Sequence, residues 1–302
     1  MSTDTTNTGV TRPGGPGRLG ERTVSRVGFG AMQLPRLADD RDAAVAILRR
    51  AVELGVDHVD TAQFYGDGLA NELLRLALRP EDGVQVVSKV GADPDPGGPH
   101  PLRLAQRPEQ LRASVEANLT SLGLEQIPVV NLRRMDSGPS ASGLRPEGDQ
   151  AVDLDDQLAE MSALRQEGKI GAIGLSSVTI DGLRRAIPAG IVCVQNAYSL
   201  VERDDEDLLA LCTAENIAWV PYFPLGSAFP GRPKVTDEPA VRAAAVALGC
   251  TPAQVGLAWL LHHAPNVHLI AGTADAEHLA ANVAAGSIVL DVATMATLEG
   301  VS

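Results

Sequence analysis

The sequence predicts an α/β protein whose strands close into a (β/α)8 TIM barrel, with long substrate loops and a short N-terminal hairpin. Two observations support this prediction. Short apolar runs alternate with longer segments of helical periodicity through most of the 302 residues. The runs are almost continuously apolar, as in parallel strands that are buried on both faces. An open doubly wound sheet is the alternative. In such a sheet, Gly28 and Gly30 would be followed by a third glycine and directly by a helix, and this chain lacks both.

Eight apolar runs are predicted as the barrel strands, at residues 27–32, 58–60, 84–90, 127–132, 170–175, 191–195, 218–222 and 267–270. Residues 23–27 precede or begin the first of them as a short strand or hairpin. The helical segments are predicted at residues 42–54, 69–78, 109–122, 154–167, 179–186, 205–215, 240–248, 252–262 and 277–285. Three Gly- and Pro-rich loops, 91–108, 137–152 and 226–233, are too long to be simple connections.

Glycine, proline and threonine mark several helix ends. Gly55 and Gly168 end two of the helices, and Pro80 follows a third. Thr251 is predicted as an N-cap, with Pro252 at the first helical position. These boundaries agree with the regular alternation of strand and helix that a barrel requires.

The chain is predicted to form one domain behind a short tail. Residues 1–17 are polar and rich in threonine, glycine and proline, and they lack the apolar segment of a signal peptide. They are predicted as a disordered tail. Residues 18–302 are predicted as a single barrel domain, because barrels of this length form one domain.

Composition excludes several classes of partner. The net charge of −13 makes nucleic acid and anionic membranes unfavourable partners. No apolar run approaches the length of a membrane span. The three cysteines, Cys193, Cys212 and Cys250, have no metal-binding spacing and are interpreted as reduced thiols. The sequence therefore predicts a cytoplasmic protein without a metal, as a monomer or weak homo-oligomer.

A candidate catalytic group lies where the second and third predicted strands end. Asp60 ends one strand, Tyr65 follows in the loop, and Lys89 interrupts the valine-rich strand 84–90. A buried lysine is costly unless it is paired, and Asp60 is the natural partner. A tyrosine beside a fixed positive charge is a usable general acid toward a carbonyl oxygen. The alternative is a structural salt bridge with a rim aromatic beside it.

Other strand ends carry weaker signals. Tyr222 could stack on a flat ligand or fill the core. Gly272 and Thr273 lead into a helix, where backbone N–H groups suit a phosphate. Alone, neither signal decides between a ligand site and ordinary packing.

Together these segments resemble the aldo-keto reductase family, from about residue 19 to residue 290. The matching segments are VSRVGFGAMQL, GVDHVDTAQFYG, VVSKVG, IGAIGLSS, CVQNAYS, WVPYFPLG and LIAGTADAEHLAANVAA. The resemblance implies a (β/α)8 barrel that binds NADPH without a Rossmann domain. It also implies hydride transfer between nicotinamide C4 and a carbonyl carbon, with Tyr65 as proton donor, Lys89 as its activator, and Asp60 holding Lys89.

The resemblance further implies that the cofactor is bound by residues at the ends of several strands. These are Gly30, Ala31, Met32, Asp60, Ser176, Ser177, Gln195, Tyr222, Leu225, Gly226, Ser227, Gly272, Thr273, His278 and Asn282. Ser176, Ser177 and Gln195 would bind the carboxamide, and Tyr222 would stack on the nicotinamide. Ser177 stands where asparagine is usual, and His278 where many members have arginine. His278 could meet a 2′-phosphate, more weakly at high pH, so NADPH is predicted over NADH.

Arg133 departs from the family pattern, which has a catalytic histidine on the fourth strand. The run Asn131–Leu132–Arg133 resembles a bacterial subgroup that includes pyridoxal reductases. An arginine could polarise a carbonyl or bind a polar or anionic substituent, but it cannot relay a proton. The alternative is that Arg133 turns toward Asp136 and leaves the pocket.

The predicted function is NADPH-dependent reduction of an aldehyde or ketone to the alcohol, with a pyridoxal-like aromatic aldehyde as one candidate substrate. A ketone or imine reductase of secondary-metabolite biosynthesis would use the same site. A third possibility, from another class of protein, is an NADPH-binding regulatory subunit with slow turnover. Substrate choice would depend on the three long loops, in which no residue pattern identifies a substrate.

Overall fold

The computed structural model describes residues 12–100, 102–136, 144–226 and 231–301. The strands within these ranges are β1 Pro16–Leu19, β2 Arg22–Ser25, β3 Phe29–Gly30, β4 His58–Asp60, β5 Gln85–Val90, β6 Ala92–Pro94, β7 Leu102–Leu104, β8 Ile127–Arg133, β9 Ile170–Ser176, β10 Ile191–Gln195 and β11 Ala218–Trp219. The α-helices are α1 Arg41–Glu53, α2 Leu69–Ala77, α3 Pro108–Leu122, α4 Leu154–Gln166, α5 Ile180–Ala186, α6 Glu206–Ala214, α7 Pro239–Leu248, α8 Pro252–His263, α9 Ala276–Ala284 and α10 Val292–Glu299.

Seven strands form a parallel sheet in the order β11-β10-β9-β8-β5-β4-β3. The predicted eighth strand closes it through single bridges, Trp219 with Val267 on one side and Val27 with Leu269 on the other. Backbone hydrogen bonds support both joins, since the Gly28 N–H donates to Leu269 O at 2.8 Å and Leu269 N–H to Arg26 O at 2.7 Å. The predicted (β/α)8 barrel is confirmed.

The register of the strands gathers the predicted site residues at one end of the barrel. Asp60 is opposite Gly30, and Lys89 is opposite Asn131. Ser176 lies between Arg133 on one side and Gln195 on the other. Because the strands are parallel, the carboxyl ends of all of them meet at this edge.

The hairpin of β1 and β2 closes the opposite end of the barrel. Leu19 and Val24 pack with Val87, Val129 and other inward-facing strand residues in a separate inner apolar cluster. The side chain of Gln85 donates to the Leu19 carbonyl at 3.0 Å, which anchors the hairpin to β5. A larger cluster fills the space between the strands and the surrounding helices.

The predicted disordered tail, residues 1–17, is too long. Strand β1 begins at Pro16, and Pro13 is already buried. The Arg26 N–H donates to Gly15 O at 2.9 Å and the Val27 N–H to Pro13 O at 3.1 Å, so residues 13–17 are held against the barrel. The polar composition of residues 1–17 did not indicate these hydrogen bonds. Residues 1–11 of the tail lie outside the described residues.

Two predicted strands are shorter than expected. The first is only Phe29–Gly30, because the chain turns at Ala31 into the 3-10 helix Ala31–Leu37. The seventh ends at Trp219, although Tyr222 still bridges Ala197. At both places the chain leaves the sheet near the candidate site.

Other elements were not predicted. Helix α10 follows the last predicted helix and packs near α7. The loop at 91–108 contains an antiparallel hairpin of β6 and β7, with Ala92 opposite Leu104.

The predicted cap of α8 is confirmed, since the Gln254 N–H donates to Thr251 Oγ1 at 3.2 Å and the Gln254 side chain accepts from the Thr251 N–H at 3.0 Å.

Within the described ranges, no individual helix combines the length and apolar character needed to cross a bilayer. Two sharply bent helix pairs, Pro239–Leu248 with Pro252–His263 and Ala276–Ser287 with Val292–Glu299, meet that criterion by length and composition only.

Candidate active site

A buried ion pair occupies the centre of the site. Lys89 and Asp60 are 6% and 2% exposed, and the lysine ammonium donates to Asp60 Oδ1. The ammonium also donates to the Thr61 carbonyl at 3.0 Å. It lies 5.1 Å from the centroid of the Tyr65 ring. The predicted grouping of Asp60, Tyr65 and Lys89 is therefore present in the structure.

The surroundings of Lys89 keep it charged. Burial acts to lower the pKa of this lysine, but the charge of Asp60, Tyr65 and the hydrogen bonds to these two residues outweigh burial and raise the pKa. The ammonium is therefore protonated at neutral pH, and it presents a fixed positive charge beside the phenol of Tyr65.

Gln195 holds the second oxygen of Asp60. Its side-chain N–H donates to Asp60 Oδ2 at 2.6 Å, across 135 residues of chain. The other end of the same amide, Gln195 Oε1, is buried and has no hydrogen-bond partner among the described residues. Gln195 therefore fixes the carboxylate and leaves one acceptor for a further donor, such as the N–H group of a carboxamide.

Ser177 follows β9 and Tyr222 follows β11, and their side chains meet although β10 lies between these strands. The hydroxyl of Ser177 lies 3.2 Å from the phenolic oxygen of Tyr222. Burial raises the pKa of Tyr222, so this phenol stays neutral at working pH. The sequence prediction that both face one site is consistent with this contact, and the half-buried Tyr222 ring can offer a face to a flat group.

Arg133 lies near Tyr65, and the ring of Phe64 contacts both residues. Its guanidinium carbon lies 5.4 Å from the ring centroid of Phe64, and that ring packs edge-on against Tyr65 with centroids 5.2 Å apart. The alternative that Arg133 pairs with Asp136 is wrong. Arg134 takes that carboxylate, with Nε 2.8 Å from Asp136 Oδ2.

The predicted adenosine end lies where the first and last strands touch. A Cβ atom on Gly272 would lie 2.2 Å from Gly30 O, and one on Gly30 would lie 2.3 Å from Ile270 O, so neither position accepts a side chain. The first turn of α9 follows, with Asp275 accepting from the His278 N–H at 2.8 Å. The His278 side chain is 77% exposed.

The remaining predicted cofactor residues surround these groups. Thr273 is buried and its Oγ1 accepts from the Asp275 N–H at 3.0 Å, whereas Asn282 is half-buried on α9. Met32 is 48% exposed. The other residues in this set are Ala31 and Ser176, which are buried, and Leu225 and Gly226, which are half-buried. Ser227 lies outside the described residues.

Three contacts could not be found by sequence reasoning. The Thr61 carbonyl contacts Lys89 through the main chain, which no residue type reveals. Phe64 supports Arg133, and only its place beside Tyr65 hinted at a role. The bond between Gln195 and Asp60 joins distant strands, so only the barrel register could have indicated it.

The fold and this grouping define a class of protein. The model of the aldo/keto reductase family matches residues 26–302, and the chain belongs to this family. It is 38% identical over 296 residues to pyridoxine 4-dehydrogenase of Escherichia coli (strain K12), covering 94% of this chain and 97% of that protein. It is 32% identical over 293 residues to an uncharacterized oxidoreductase of Schizosaccharomyces pombe (strain 972), covering 93% and 88%.

A solved structure supports the same family. The aldo-keto reductase from Klebsiella pneumoniae in complex with NADPH superposes with a TM-score of 0.77 at 28% identity, covering 94% of this chain and 93% of that one. Among the described residues of the present chain, no group of three or more His, Cys, Asp or Glu side chains could hold a metal ion.

Proposed function

We propose that this chain reduces an aldehyde or ketone to the alcohol with NADPH. The observation that carries the proposal is the buried Lys89–Asp60 ion pair beside Tyr65. An unpaired lysine would be costly at this depth, and a paired one gives a tyrosine the fixed charge that a proton donor needs. Membership of the aldo/keto reductase family and the NADPH complex of the Klebsiella enzyme support the same activity.

The residues present fit the cofactor. The unpartnered Gln195 Oε1 would accept from the nicotinamide carboxamide, beside the hydroxyls of Ser176 and Ser177. Helix α9 begins just after Gly272 and Thr273, and the backbone N–H groups of its first turn would suit a phosphate. NADPH supplies a hydride from its nicotinamide ring, and the Tyr222 ring would hold that ring in position.

Tyr65 would supply the proton to the carbonyl oxygen as the alkoxide forms. Lys89 would stabilise the phenolate that Tyr65 becomes, because Asp60 keeps the ammonium charged and in place. Gln195 would position Asp60 through its second oxygen. Lys89, Asp60 and Gln195 are all buried, and this strengthens their interactions because water screens them little.

A pyridoxal-like aromatic aldehyde is the candidate substrate. The 38% identity to a pyridoxine 4-dehydrogenase, over almost the full length of both proteins, supports this substrate class. The rings of Phe64 and Tyr222 are half-buried at the site and suit a flat aromatic substrate. The net charge of −13 supports a monomer or weak homo-oligomer without a nucleic-acid partner, and we place its activity in the cytoplasm as part of the proposal.

The test is NADPH oxidation over a panel of pyridoxal, other aromatic aldehydes and ketones. Tyr65→Phe should lower kcat by about 10²–10⁴-fold, because the general acid is removed. Tyr198→Phe is the matched control. It removes a buried phenol hydroxyl that contacts Glu206 and His263 rather than the site, so activity should be kept.

Two results would contradict the proposal. A folded Tyr65→Phe variant with most of its activity would exclude Tyr65 as the proton donor. Tight NADPH binding without turnover of any member of the panel would favour a cofactor-binding regulatory subunit instead.

A further inference from the structure

The Arg133 guanidinium has no acceptor in the part of the chain that the structure describes. It makes neither a hydrogen bond nor an ion pair there, and its side chain is half-buried at the end of β8. The guanidinium carbon lies 5.4 Å from the ring centroid of Phe64 and packs over that ring. A guanidinium presents five N–H donors, and a cation that is partly removed from water without an acceptor is costly.

Three carboxylates around the site have other hydrogen-bond partners. Asp60 is held by Lys89 on one oxygen and by Gln195 on the other. Asp136 pairs with Arg134, and Asp205 accepts from the Asn196 side chain at 2.8 Å. Lys89 and Asp60 cancel each other, whereas the charge of Arg133 is not offset by an ion pair among the described residues.

Arg133 lies within reach of the reacting groups. Phe64 bridges it to Tyr65, which contacts the ring edge-on. On the other side its positive charge acts to lower the pKa of Tyr222, although burial outweighs it. The guanidinium is therefore close to the candidate proton donor through Phe64, and its charge is also felt at Tyr222.

We propose that Arg133 selects aromatic aldehydes that carry an anionic oxygen group on the ring, a carboxylate or an ionised phenol. The inference rests on the proposed reductase function and names the substrate class of that site. Planar guanidinium groups bind such oxygens through two parallel charge-assisted hydrogen bonds. In a strongly acidic protein this local charge also offsets the repulsion that an anionic substrate meets.

A packing role is the competing explanation. A cation on an aromatic face contributes about 0.5–1 kcal/mol at exposed sites, and that alone could keep the side chain in place. This role predicts no preference for anionic substrates. It also predicts that a methionine, which packs well on Phe64, replaces the arginine without a change in substrate preference.

The test compares 2-, 3- and 4-formylbenzoate with their methyl esters, which keep the ring and the aldehyde but lose the charge. For at least one isomer, kcat/KM should be about tenfold or more higher for the acid than for the ester, the range of a hydrogen bond to a charged group. Arg133→Met should abolish that preference through a higher KM for the acid, with a much smaller effect on the KM of the ester. Arg133→Lys should keep part of it.

Arg18→Met is the matched control. Arg18 is an exposed arginine on β1, in the hairpin at the opposite end of the barrel, so its loss should leave the preference for the acid intact. Equal kcat/KM for every acid and its ester, or the same preference in Arg133→Met, would overturn the inference while the reductase function stands.

Binding of benzoate to the protein with NADP+, measured by calorimetry, separates the two proposals. Benzoate cannot be reduced by this reaction, so its binding reports only the anion site. Binding that weakens about tenfold in Arg133→Met would support the anion site even if no aldehyde turned over, in which case only the reductase proposal fails. Benzoate binding of equal strength in both proteins would overturn the inference about Arg133.

Discussion

The orientation of single side chains decides what this site can do. Arg133 and Arg134 are adjacent, yet Arg134 binds Asp136 and Arg133 faces Phe64. Successive residues at a strand end point to opposite sides. The sequence therefore places two arginines close to Asp136 without showing which of them binds it. The lysine was predictable, because a lysine in a buried valine-rich strand requires an acid nearby.

Two buried histidines lie at the closed end of the barrel, away from the site. His58 and His268 pack edge-on with ring centroids 5.9 Å apart. Neither nitrogen of His58, nor Nε2 of His268, has a hydrogen-bond partner among the described residues. Burial lowers the pKa of His58 to about 3, helped by repulsion from His268, and burial lowers the pKa of His268 to about 4.

We expect these histidines to make the fold sensitive to acid. Their folded-state pKa values lie below the ordinary value of about 6.5, so below that pH the unfolded chain binds protons that the folded chain excludes. The free energy of unfolding should fall as pH drops from about 6.5 toward 4, by about 2 kcal/mol for each histidine at pH 5. Urea unfolding at pH 7 and pH 5 measures this loss.

Variants assign that loss to a residue. His58→Leu should roughly halve the difference between pH 7 and pH 5, whatever it does to stability at pH 7. His100→Gln is the matched control, because His100 lies in the loop between β6 and β7, away from this histidine pair, and the difference should stay the same. An unchanged difference in His58→Leu would show that other groups cause the acid sensitivity.

At the scale of elements, the carboxylate of Glu299 joins helix α10 to three side chains elsewhere in the fold. Glu299 Oε2 accepts from Arg203 at 2.7 Å, and Glu299 Oε1 accepts from Trp259 Nε1 at 3.0 Å and lies 2.7 Å from His263 Nδ1. Burial opposes the charge, but His263, Arg203 and Trp259 together lower the pKa of Glu299. The sequence did not reveal this helix, because its partners lie on α8 and in the loop before α6.

Glu299→Ala should destabilise the protein by about 1–3 kcal/mol, because three donors lose their acceptor and Trp259 and His263 are largely buried. Urea denaturation of the parent and the variant measures the difference. Glu277→Ala, on α9, is the matched control, since no ion pair of Glu277 occurs among the described residues. Equal stability of Glu299→Ala and the parent would mean that water replaces the lost carboxylate at little cost.

At the scale of the whole molecule, the periodicity of the sequence predicted the barrel, and the long-range pairs completed it. Runs such as 127–132 and 170–175 were apolar enough to identify as strands, and they match β8 and β9 closely. The segments at 27–32 and 218–222 were overextended, because apolar composition continues where the chain leaves the sheet. The bond from Gln195 to Asp60 depends on tertiary register, which no local pattern contains.

The candidate cofactor residues are spread from Gly30 to Asn282, so NADPH should stabilise the entire barrel. Ligand at about 100 times its Kd adds about 2.7 kcal/mol to the free energy of unfolding. A thermal melt with and without NADPH should therefore show a clear rise in Tm, and adenine alone should give little. An unchanged Tm at saturating NADPH would contradict the assignment of these residues.

The contact between Gly30 and Gly272 has a consequence for synthesis of the chain. The two glycines meet backbone to backbone, Gly30 at the end of the first strand and Gly272 just after the last. A cofactor that needs both sides could be bound only when translation has passed about residue 280. NADPH could not guide the earlier steps of folding on the ribosome. A nascent chain that ends before this point would not bind NADPH, so NADPH binding would distinguish it from the finished protein.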